Sequence, residues 1–62
     1  MIEFDLEMET EIPEKAIKLL QENISGYIIK NKDIYRVYIA EQKERSLIGN
    51  ILKRIGINRR IL

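Results

Sequence analysis

Ile2-Glu3-Phe4-Asp5-Leu6-Glu7-Met8-Glu9 decides the fold of this chain. Apolar and acidic residues alternate through it without a break, and a period of two marks a strand with one buried and one open face. Ile2, Phe4, Leu6 and Met8 belong to a core, while Glu3, Asp5, Glu7 and Glu9 point away from it. Carboxylates stacked along one strand repel each other unless cations lie beside them. The rest of the chain is read for what pairs with this strand and what covers it.

Pro13 stands where the first turn of a helix needs no N–H, and Ala16, Ile17, Leu20 and Ile24 follow at helical spacing. Ser25-Gly26 then predicts the helix end, with Gly26 in the left-handed cap position. From Tyr27 to Ala40, β-branched and aromatic residues are broken only by Lys30-Asn31-Lys32-Asp33, a hairpin with a polar turn. Tyr35, Val37 and Ile39 form the apolar face of its second arm. With an odd-length loop, Tyr27 and Ile29 share that face, and Ile28, Lys30, Ile34, Arg36 and Tyr38 fall on the other. A two-residue loop at Asn31-Lys32 flips the first arm instead.

A second helix is expected from about Lys43 or Glu44, with an apolar stripe of Leu47, Ile48, Ile51, Leu52 and Ile55 and a stop at Gly56. Gly49 inside it costs about 1 kcal/mol relative to alanine, and either permits close approach of another backbone or is a tolerated defect. Residues 57–62 read as a short tail. The expected architecture is α+β, in the order β-α-β-β-α, as one small domain over residues 1–62. A crossover after the first strand leaves room for the third to insert antiparallel between the other two, giving a three-stranded antiparallel or mixed sheet of order 1-3-2 with both helices on one face. The acidic strand is then an edge, with Arg36 beside it and Lys30 a strand further off.

At 62 residues with no Cys and no His, the chain has neither disulfides nor histidine or thiolate metal ligands to reinforce a small core. Domains of this size bury only about 60% of their unfolded surface, so a better core or a partner subunit is the remaining support. A hydrophobic content of 45% with 34% charged residues fits a folded chain, and abundant Ile, Lys, Glu and Arg without Cys resembles thermophile composition. No apolar run approaches the roughly 18 residues of a membrane span, and the acidic start lacks the basic region of a signal peptide. A cytoplasmic location, with no membrane contact, is expected.

Catalysis is not expected. Thr10, Ser25 and Ser46 are the only aliphatic hydroxyls, and no histidine is present to activate them. Carboxylates two apart on a strand lie about 6.6–6.8 Å from each other, a spacing that also suits glycosidase acids, but so small a chain offers no cleft. No glycine-rich phosphate loop is present. No catalytic residue, metal site, cofactor or small-molecule substrate is assigned.

The formal net charge of +1 hides a split. Glu3, Asp5, Glu7, Glu9, Glu11 and Glu14 open the chain without a base, whereas Lys43, Arg45, Lys53, Arg54, Arg59 and Arg60 face the single acid Glu44 at its end. Arg45, Lys53, Arg54, Arg59 and Arg60 are candidate contacts to nucleic acid or to a partner, since exposed bases displace counterions from phosphate. The same cations also stabilise a helix C-terminus through its dipole. Glu3, Asp5, Glu7, Arg36 and Tyr38 are candidate residues of a dimer-forming sheet edge, and Tyr38 beside Arg36 is the one exposed stacking platform.

The acidic strand Glu3-Phe4-Asp5-Leu6-Glu7-Met8, the helix start Ile12-Pro13-Glu14, the hairpin arm Ile34-Tyr35-Arg36-Val37-Tyr38-Ile39-Ala40 and the last helix Ser46-Leu47-Ile48-Gly49-Asn50-Ile51-Leu52-Lys53-Arg54-Ile55 occur in an order that resembles the small dimer-forming subunit of the KEOPS tRNA-modification complex. The resemblance runs over most of the chain and suggests a divergent member. It implies a non-catalytic subunit that pairs through its sheet with itself or a paralogue, holds the catalytic subunit through its helices, and helps the complex bind tRNA. The alternative reading is a free-standing RNA- or DNA-binding domain that uses the basic helix.

Overall fold

The computed structural model describes residues 1–62. Its elements are β1 (Ile2–Glu9), α1 (Pro13–Gln21), β2 (Tyr27–Asn31), β3 (Ile34–Ile39), α2 (Lys43–Arg54) and β4 (Asn58–Ile61). The strands form one sheet in the order β2-β3-β1-β4, and every neighbouring pair is antiparallel. β1 and β2 thus run the same way with α1 crossing over β3, and β3 and β4 run the same way with α2 crossing over β1. Two interleaved crossovers of this kind make the ferredoxin-like β-α-β-β-α-β arrangement.

The five expected elements hold in outline, but the sheet has four strands rather than three. Residues 57–62, expected to be a tail, supply Ile57 to the core and then β4. This strand carries no apolar alternation for a sequence reading to catch. It is specified by what lies beside it: Arg60 pairs with Glu7 and Arg59 with Met8. β1 is consequently an interior strand and not an edge, because β4 occupies the side that the order 1-3-2 leaves bare.

The helices cover one face. Phe4, Leu6, Tyr35, Val37 and Ile39 from the sheet pack with Ala16 and Leu20 of α1, Ile48 and Leu52 of α2, and Ile57. α1 starts with Pro13 as expected but ends at Gln21, a turn before Ile24, where Asn23 donates its side-chain N–H to the Leu19 carbonyl at 2.8 Å. Gly26 is therefore not a helix cap, and it does not have a positive φ. It is needed for another reason: a Cβ there would sit 1.8 Å from the Tyr38 carbonyl oxygen. Gly56 does take the left-handed conformation, with φ +77°. Its N–H donates to the Lys53 carbonyl at 3.1 Å and that of Ile57 to the Leu52 carbonyl at 2.9 Å. These are the paired bonds of a Schellman motif, with buried Leu52 and Ile57 as its apolar contact. The motif turns the chain from α2 into β4.

The hairpin turns in two residues, Lys32 and Asp33, since Asn31 pairs with Ile34. Lys32 has φ +58°, as the first central residue of a tight hairpin requires. A loop of even length flips the first arm relative to the odd-length expectation. Ile28 faces the helices opposite Val37, while Tyr27 and Ile29 lie on the open face opposite Tyr38 and Arg36. Lys30 moves to the helical side and does not face the acids of β1.

Candidate interaction surfaces

Glu3, Asp5, Glu7 and Glu9 project from β1 onto the uncovered face of the sheet, as the period of two demands. The two cations beside them come from the flanking strands. Arg36 donates from Nε to the Asp5 carboxylate at 3.0 Å, and Arg60 approaches Glu7 at 3.8 Å. The hydrogen bond and charge of Asp5, with a smaller contribution from the Tyr38 hydroxyl, push the Arg36 guanidinium above its usual pKa. Both pairs are solvent-accessible and screened by water, so neither adds much to stability. Glu3 and Glu9 have no ion-pair partner. The basic end of the chain thus reaches the acid stripe through Arg60.

Beside the acids lies an apolar half. Tyr27 and Tyr38 stack with ring centroids 4.6 Å apart and planes inclined by 23°. Tyr27 is 49% exposed and Ile29 48%. Sequence reasoning assigned Tyr27 to the core, and the even-length hairpin loop is why it is not there. Tyr35 does enter the core. Read across the strands, one row runs Tyr27, Tyr38, Glu3 and the next Ile29, Arg36, Asp5. The face thus grades from aromatic and apolar at β2 to acidic at β1.

The candidate bases do not form one patch. Arg60 is on the open face, whereas Arg59 lies on the helical side with its guanidinium against Gly49, whose added Cβ would be 2.9 Å from Nη2. The close approach anticipated at Gly49 is real, but a side chain makes it. Arg45 covers the Phe4 ring at 4.9 Å. Arg45, Gly49 and Lys53 are spaced i, i+4, i+8, so Arg45, Arg59 and Lys53 follow the seam between α2 and β4. Arg54 is exposed in the last turn of α2, and Leu47 and Ile55 of the expected apolar stripe remain 40% and 45% exposed. The core takes only Ile48 and Leu52 fully, because α2 has just one neighbouring layer.

The sheet edges also differ. β4 shows Arg59 and Arg60, and charged residues blunt an edge. β2 reads Tyr-Ile-Ile-Lys-Asn, without proline or bulge, and no element lies beyond it. Because the two-residue turn makes Asn31 and Ile34 a hydrogen-bonded pair, alternation aims the N–H groups of Ile28 and Lys30 outward.

An open groove of about 580 Å³ runs between α1 and β2, over Ile17 and Tyr35 and flanked by Glu14, Lys18, Glu22 and Lys30. Its two acids and two lysines balance. No group of three or more acidic side chains converges as a metal cage would require. No helix is long and apolar enough to cross a membrane. Compared with family models, curated proteins and solved structures, the chain returns no match. The ferredoxin-like arrangement by itself hosts many unrelated activities.

Proposed function

We propose that this chain is a non-catalytic interaction subunit that pairs with a second copy through the β2 edge and serves a tRNA-modification assembly. The tRNA setting rests on the KEOPS resemblance alone. The pairing rests on the contrast between the β4 edge, with two arginines in four residues, and the β2 edge, where Lys30 is the single charge. Two β2 strands related by a two-fold axis at Ile29 set Ile28 opposite the second copy's Lys30, and Ile29 opposite its own counterpart. The outward N–H groups of Ile28 and Lys30 then meet carbonyls, and no like charges oppose each other. The β1 stripes of the two copies end up five strand spacings apart, about 24 Å, well beyond the screening length in physiological salt. Joining the sheets also supplies the buried surface that a domain of this size lacks.

A charge swap tests it. Ile29→Lys and Ile29→Glu each place like charges in contact across the axis, while the side chain stays half-exposed in the monomer. Sedimentation should show the wild type as a dimer, each variant as a monomer, and the equimolar mixture as a dimer again. A wild-type chain that stays monomeric at its solubility limit, or an Ile29→Lys variant that still dimerises, overturns the pairing.

The seam of Arg45, Arg59 and Lys53 favours a second reading, RNA binding by the helical layer. Neutralising these three should weaken tRNA binding and flatten its salt dependence. Binding that survives unchanged at low salt removes this reading.

A further inference from the structure

We infer that the open face of the sheet docks a basic protein segment that carries its own apolar anchors. The inference rests on the reading of the chain as a protein-binding subunit, but not on pairing of the β2 edges. Three observations carry it. First, the face is large and uncovered: both helices pack on the other side, and the molecule measures 29 × 25 × 19 Å. Its broad side is of the order of the roughly 800 Å² per partner that a stable complex buries. Second, the apolar half offers rigid anchoring. Tyr27 and Tyr38 hold each other by stacking, and Ile29 lies beside them, so little side-chain freedom is lost on contact. Third, the charge is uncompensated in one direction only. Four carboxylates meet two guanidinium groups, both already engaged, and Glu3 sits directly beside Tyr38.

That third point decides between occupants. Four-stranded sheets of this layout can present aromatic rings to stack RNA bases. Here a nucleotide stacked on Tyr38 would bring its phosphate against Glu3 and Asp5, with Arg36 already committed to Asp5. Phosphate is repelled where lysine or arginine is attracted. A second copy docked face to face would oppose one acid stripe to another, which disfavours that arrangement as well. The fitting partner sets an apolar side chain on Tyr27 and Ile29 and a cation over Glu3, two strand spacings or about 10 Å away.

The test uses fluorescence anisotropy with three labelled probes. They are a short amphipathic peptide of leucine, alanine and lysine, its counterpart with glutamate for lysine, and an oligouridylate RNA. The wild type should bind the lysine peptide, the glutamate peptide should not bind, and the RNA should not displace the lysine peptide. Tyr27→Ser with Tyr38→Ser should weaken peptide binding about tenfold or more, as loss of aromatic anchors does. Glu3→Gln with Glu9→Gln should flatten its salt dependence, and circular dichroism confirms that both variants fold. Peptide binding that ignores the tyrosines, or RNA binding that depends on them, overturns the inference. Sedimentation of the same samples separates the two ideas. Dimers that bind no peptide refute only the docking face, and monomers that bind it refute only the edge pairing.

Discussion

Glu44, the one acid in the basic half of the chain, does more at the residue scale than any of the bases around it. It is buried to 9% exposure in the first turn of α2. Its carboxylate accepts from the Ser25 N–H and hydroxyl, both at 2.7 Å, and from the N–H groups of Glu41 at 3.0 Å and Ala40 at 3.2 Å. One side chain thereby ties the α1–β2 connection to the end of β3 and the start of α2. These bonds, those of Ser25 foremost, hold its pKa below the usual carboxylate value against the opposing effect of burial. A carboxylate whose pKa falls on folding stabilises the fold above its unfolded pKa, and the gain is lost as pH drops through the folded value. Urea denaturation of Glu44→Gln should therefore show a deficit against wild type that is full above about pH 5 and shrinks toward pH 3. A deficit independent of pH would mean that the charge plays no part.

At the scale of elements, two glycines that look alike in sequence behave in opposite ways. Gly26 admits no Cβ because the backbone of β3 passes over it, so Gly26→Ala must push the α1–β2 connection off the sheet. It should cost at least about 2 kcal/mol in chemical denaturation. Gly49 meets only the flexible end of Arg59, which can swing aside. Gly49→Ala should be neutral, or stabilising by up to about 1 kcal/mol, through helix propensity. Five of the six elements were legible because each carries its own periodicity or punctuation: alternation in β1, Pro13 before α1, the polar turn of the hairpin, Gly56 after α2. β4 was not, because Asn58-Arg59-Arg60-Ile61 becomes a strand only beside the carboxylates of β1. The placement of Tyr27 and Ile29 turned on one residue of loop length, which local composition does not set. The meeting of Asp5 with Arg36 was legible, since both fall on the same side of an alternating pattern.

For the molecule as a whole, the charge that is sorted along the chain is in large part sorted across the sheet as well. The open face carries the acid stripe, while Arg45, Arg59 and Lys53 lie on the helical side. Assembly and RNA contact, if both belong to this chain, then use opposite faces and need not compete. Pairing of β2 edges also links stability to concentration, because the dimer stabilises only the folded state. The thermal midpoint of the wild type should rise with protein concentration, and that of Ile29→Lys should not. An identical rise in both would place the association somewhere other than β2.

β4 is four exposed residues at the C-terminus, and terminal elements are the first to open. Each such opening bares one side of β1, the strand that a second copy could most readily match. Glu3, Asp5, Glu7 and Glu9 make two such strands repel, whereas Arg60 is drawn back to the same row. A single stripe of carboxylates thus guards the bared strand against neighbours and serves as the address to which β4 returns.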